Sequence, residues 1–155
     1  MSYTFIDNTF VLMAKDDLKD RIEIEIGDIK QPVFIPQVKL KRWDNESNIS
    51  IRFISNDIIL PVKTDNLIGC NINNNTSAKF YEVDEGYEFD IELKEKPKRN
   101  ILEFSIETKN VRFCYQPELT IQEKLQGFIR PDNVIGSYAV YSDTELKNTT
   151  NGLLS

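Results

Sequence analysis

RIEIEIGD, residues 21–28, decides how the chain is to be read. Ile22, Ile24 and Ile26 alternate with Glu23 and Glu25. Successive side chains of a strand point to opposite faces, so this stretch has one apolar and one charged face. Outward from it the pattern returns. In YEFDIELK (87–94), Tyr87, Phe89, Ile91 and Leu93 share a face, with Glu88, Asp90, Glu92 and Lys94 opposite. NISIRFIS (48–55) puts Ile49, Ile51 and Phe53 together, and ILEFSIET (101–108) does the same with Leu102, Phe104 and Ile106. In GSYAVYS (136–142), Tyr138 and Val140 oppose Ala139 and Tyr141.

Weaker strands are expected at Tyr3–Ile6, Phe10–Ala14, Val38–Trp43, Ile58–Lys63, Lys79–Val83 and Val111–Tyr115. Pro32 and Pro36 bracket Val33-Phe34-Ile35. Proline donates no ladder hydrogen bond, so this segment reads as an edge or an extended connector. Turn residues fall at Asp44-Asn45, Asn71 to Asn75, Asp84 to Gly86 and Pro97 to Asn100. One short connecting helix is expected near 119–126, where Thr120 and Glu123 form a T-x-x-E capping box and Gly127 supplies a left-handed stop. Many short alternating strands with turns between them predict a mainly β fold, an antiparallel β-sandwich or β-roll. No repeat or composition break divides the chain, so residues 1–155 read as a single β-rich domain.

Composition narrows the chemistry. Hydrophobic residues make up 40% of the chain, enough to fill a core, and the formal net charge is −6. An acidic surface repels phosphate backbones, so no nucleic acid is expected as a partner. No apolar run reaches the ~20 residues of a membrane helix or forms a signal peptide, so neither a membrane nor secretion is expected. The absence of histidine removes the Ser-His-Asp and Cys-His dyads, histidine metal ligation and the usual neutral-pH base. Cys70 and Cys114 read as two buried free thiols, and the Asn75 and Asn148 sequons as chance matches.

The remaining constellations have plain structural readings. Glu23 and Glu25 would stand about 6.5–7 Å apart on one strand face, which overlaps an inverting-glycosidase spacing. Glu88, Asp90 and Glu92 make a similar row. Polar alternation on any solvated sheet produces such rows, and that reading is favoured. WDNESNIS (43–50) starts like a calcium loop, but Ile49 and Ser55 stand where a glycine and a bidentate glutamate are needed. KLKRW (39–43) reads as an amphipathic strand anchored by Trp43, and the tyrosines as core, interface or glycan-stacking residues, in that order. No catalytic residue, metal site or cofactor is predicted.

Two long stretches, Glu25 to Phe53 and Leu102 to Glu145, carry a resemblance. Their shared features are the IGD-x-KQP run, the WDNE turn with its following strand, the ETK…YQPEL segment and RPDNVIGSYAVY. Together they resemble the N-terminal β-rich region of a group of bacteriophage and prophage virion-associated proteins, fibre-like or structural. The resemblance implies a non-enzymatic structural protein: the particle-anchoring domain of a head or tail fibre, or a capsid decoration protein. It would be made in the bacterial host cytoplasm and located in the virion. Its partners would be capsid, portal or tail components and further copies of itself, with Pro32, Phe34, Pro36, Trp43, Tyr138 and Tyr141 as candidate interface residues. It also implies that the chain is the N-terminal part of a longer protein, whose GSYAVYS strand has its hairpin mate elsewhere. A carbohydrate-binding β-sandwich module for host-surface glycans, with Trp43 beside Tyr81 or Tyr87 as its aromatic pair, is the alternative.

Overall fold

A computed structural model describes residues 3–13, 22–83 and 86–143. Ala14, the Asp84-Glu85 part of an expected turn and the Asn148 sequon lie outside the described residues. The chain forms two compact units, Met1–Lys109 and Asn110–Ser155. The strands are β1 Thr4–Ile6, β2 Thr9–Met13, β3 Ile22–Ile26, β4 Gln37–Arg42, β5 Ser47–Phe53, β6 Pro61–Thr64, β7 Leu67–Asn71, β8 Thr76–Val83, β9 Gly86–Leu93, β10 Phe104–Lys109, β11 Val111–Tyr115 and β12 Tyr138–Ser142. One helix, α1, spans Ile121–Leu125, and a 3-10 turn spans Asp132–Val134.

The first unit is an antiparallel β-sandwich. One sheet runs β1-β2-β3-β4-β5-β10 and the other β6-β7-β8-β9. The register carries the alternation across strands: Phe10 faces Ile26, Ile26 faces Val38, Val38 faces Ile51, and Phe53 faces Phe104. In the second sheet Ile68 faces Phe80, and Phe80 faces Phe89. These two apolar faces merge into one core that includes Leu12, Ile24, Ile26, Ile68, Cys70 and Phe80. Phe80 stacks on Phe89 at 4.4 Å, and Phe89 meets Phe104 of the opposite sheet edge-on at 5.9 Å.

Turn chemistry fixes the hairpins. Asp7 and Asn8 both take positive φ between β1 and β2, the geometry of a type I′ hairpin. Trp43, Asp44 and Asn45 also have positive φ between β4 and β5, so Trp43 belongs to the turn and not to the expected strand. Gly27 follows β3 at φ +117, and an added Cβ would sit 2.7 Å from the Asn8 carbonyl oxygen.

Several expectations need correction. β6 begins only at Pro61, and Ile101 to Glu103 precede β10 without joining it. β7 lies where no strand is expected, because LIGCN is short and its Gly69 breaks the apolar rhythm. The 31–36 segment joins no strand and serves as a connector, but Phe34 and Pro36 are buried in the first unit. The closing strand does have a mate within the chain: β12 pairs antiparallel with β11, Phe113 opposite Val140 and Tyr115 opposite Tyr138.

Candidate assembly surface

The chemistry-bearing side chains of the sandwich are engaged with one another. Lys41 bonds Glu23 at 2.5 Å and also Glu25, on the face of β3 and β4 that points away from the core. Glu25 is only 6% exposed, so this row is partly buried and not the solvated row that the alternation suggested. Burial by itself would lower the Lys41 pKa, but its hydrogen bonds to Glu23 and Glu25 outweigh that and raise it. Beside it, Arg52 joins Gln37 at 2.9 Å and Asp28 at 2.5 Å.

On the outward face of the second sheet, the Tyr81 hydroxyl lies 2.6 Å from both Glu88 and Asp90, and Lys79 pairs with Glu92 at 2.6 Å. Hydrogen bonding to Asp90, then to Glu88, raises the Tyr81 pKa. The Tyr87 hydroxyl bonds that of Tyr3, and burial raises both phenols' pKa values. Trp43 sits in the β4–β5 turn with the Arg42 guanidinium 5.4 Å from its ring centre, while Tyr81 and Tyr87 belong to the other sheet. The expected aromatic pair therefore does not form among the described residues.

A cavity of about 290 Å³ lies at one end of the sandwich, lined by Phe34, Pro36, Arg52, Phe53 and Ile59 among others. Its guanidinium is already held by Gln37 and Asp28, so no unengaged cation points a ligand into it. No group of three or more acidic or thiol side chains suited to a metal occurs among the described residues.

The second unit differs in kind. The chain passes from β10 to β11 through a single residue, Asn110, at φ +53. The loop between β11 and β12 is tied back to the ladder by Gln116 and Ser137, N–H to carbonyl at 2.9 Å, and by Arg130 donating to the Pro117 carbonyl. The expected capping box forms: Glu123 N–H donates to the Thr120 hydroxyl at 3.3 Å and Thr120 N–H donates to the Glu123 carboxylate at 2.7 Å. Hydrogen bonds from the Thr120 hydroxyl, at 2.7 Å, and then from its N–H hold the Glu123 carboxyl below its ordinary pKa, and Gly127 takes φ +87 behind the helix.

None of the described residues of this unit is buried. Register puts Phe113, Tyr115, Tyr138 and Val140 on one face of the ribbon. The rings touch: Tyr138 lies 5.2 Å from Tyr115 and 6.4 Å from Phe113. Tyr138 is 61% exposed, Tyr115 54% and Phe113 42%. At about 150–250 Å² per aromatic side chain, these three rings expose roughly 300 Å². On the other face Arg112 lies over Tyr141 at 5.9 Å, and Cys114, half-buried and not buried as expected, faces Ala139. In and after the helix, Ile121, Leu125, Phe128 and Ile129 are all exposed, Ile129 at 91%.

Of the candidate interface residues, Tyr138 and Tyr141 thus lie exposed on opposite faces of one ribbon, and Pro32 is exposed in the first unit. Phe34 and Pro36 are spent on the core and offer no contact surface. Phe113, Tyr115 and the helix-side residues are not among those candidates, although Val111–Tyr115 is an expected strand and Tyr115 one of the tyrosines weighed for an interface. No protein-family model, curated protein or solved structure matches the chain.

Proposed function

We propose that this chain is a non-enzymatic structural protein of a bacteriophage particle, a sandwich that anchors and a second unit that docks on other virion components. The observation that carries the docking role is the unit at 110–143, which has no buried residue yet exposes ten large apolar side chains, from Phe113 to Tyr141. A two-stranded ribbon is marginal in water, and a helix of five residues is too short to stand alone. Such side chains gain burial by meeting another protein, and an apolar patch of a few hundred Å² is often functional. The virion setting rests on the sequence resemblance, above all RPDNVIGSYAVY, which falls within this same unit.

Purified particles released from a host carrying the source genome provide the test. Mass spectrometry should find the chain in stoichiometric amount, and Tyr138→Ser with Ile129→Ser should reduce its incorporation at least tenfold. A chain absent from such particles would sink the virion reading.

A further inference from the structure

We propose that β12 is a homodimerisation edge: a second copy of this chain adds its own β12 antiparallel, giving a four-stranded sheet β11-β12-β12-β11. This rests on the assembly reading above and names one of its partners.

The edges of the described sheets differ in one respect. Natural edge strands carry charge or proline, or are kept very short, to block unwanted pairing. β10 has Glu107 and Lys109, β9 has three acids, β6 has Pro61 and Lys63, β11 has Arg112, and β1 is three residues long. β12, Tyr-Ala-Val-Tyr-Ser, has five residues and no charge, proline or glycine. It pairs with β11 and with no other strand among the described residues.

Backbone direction fits the same partner. Ladder bonds bracket the ribbon at Gln116 with Ser137 and at Asn110 with Asp143. Bonding alternates along an antiparallel strand, so Ala139 and Tyr141 turn their N–H and C=O groups toward β11, and Tyr138 and Val140 turn theirs away. A two-fold axis at Val140 then sets Val140 opposite its own copy as a mutually hydrogen-bonded pair, with Ala139 opposite Tyr141. Each copy carries a formal charge of −6, but none of it lies on this strand, so the approaching edges are neutral. Two strands become four, past the three that an independent sheet needs. The Phe113, Tyr115, Tyr138 and Val140 rows of both copies then lie on one face of that sheet, which remains open to other components. Pairing five-residue strands buries less than the ~1,200 Å² of a stable interface, so a weak, concentration-dependent dimer is expected.

Sedimentation velocity of the full chain across 1–300 μM tests the inference. The wild type should shift from 18.0 kDa to twice that mass with rising concentration. Val140→Pro removes an outward N–H and fixes φ at about −65°, and should stay monomeric with an unchanged thermal melt of the sandwich. Val140→Cys in a Cys114→Ser background should yield a covalent dimer with a short bismaleimide. A wild type monomeric at 300 μM without cross-linking, or a Val140→Pro chain that still dimerises, would overturn the edge. Neither outcome touches the presence of the chain in particles, so failure here and failure of the virion reading are separable.

Discussion

At the scale of single residues, Lys41 shows how one side chain decides the meaning of two others. Glu23 and Glu25 have the spacing of a catalytic pair, yet both are held by one ammonium group from the neighbouring strand. Removing that partner leaves a buried carboxylate uncompensated, which costs more than the pair contributes. Lys41→Met should therefore destabilise the sandwich by about 2–4 kcal/mol in urea unfolding. Adding Glu25→Gln should recover at least half of the loss. A Lys41→Met chain as stable as the wild type would remove the pairing as a structural element. Cys70 offers a second residue-scale expectation. Burial pushes its thiol up to about 11. The unfolded thiol ionises near its ordinary pKa of 9.0, so the unfolded state loses its proton first. The stabilising contribution is complete below pH 9 and is lost as pH rises toward 11. Thermal melts from pH 8 to 11 should fall accordingly, and Cys70→Ala, though less stable at pH 8, should fall less steeply. Tyr3 and Tyr87, whose pKa values are also raised, add a loss of the same sign above pH 10 that the variant retains.

At the scale of elements, equal apolar content leads to unequal fates. Phe80 of β8 is fully buried between the sheets, while Phe113 of β11 is 42% exposed. Phe80→Ala removes a core ring and should cost about 3–5 kcal/mol, whereas Phe113→Ala should change the monomer's stability by less than about 1 kcal/mol. Chemical denaturation of the two variants side by side checks this; a large loss in Phe113→Ala would mean that the ribbon has its own core. Strands that face the opposite sheet were legible in the sequence because a period of two has to match one buried face. That is why β3, β5 and β9 could be read directly, and why the Thr120 capping box identified its helix. β7 could not, since Gly69 and Cys70 supply little apolar volume and its burial comes from neighbours across the core. The Pro-bracketed connector was legible as backbone but not as packing: Phe34 turns inward although nothing in its local pattern requires it. Alternation in Val111–Tyr115 and GSYAVYS resembles that of core strands, so the sequence alone does not reveal that their apolar faces stay uncovered.

At the scale of the whole molecule, the two units should differ in how readily they open. Local opening is governed by buried apolar contact, and the sandwich concentrates all of it: every buried residue described lies at or before position 80. Amides of Ile26, Ile68 and Phe80 should therefore exchange only through global unfolding. Amides of β11 and β12 should exchange orders of magnitude faster in dilute solution. Protection at Tyr138 and Val140 should then grow with protein concentration, while the core amides change little. Salt should act in the same direction, because two chains of net charge −6 repel each other and screening lowers that cost without touching the neutral strand. Raising NaCl from 20 to 300 mM should thus strengthen both dimerisation and the protection of Val140. Ribbon amides as slow as those of β8 at low micromolar concentration would mean that residues 110–143 are stable unaided. A partner would then not be needed to hold the ribbon folded.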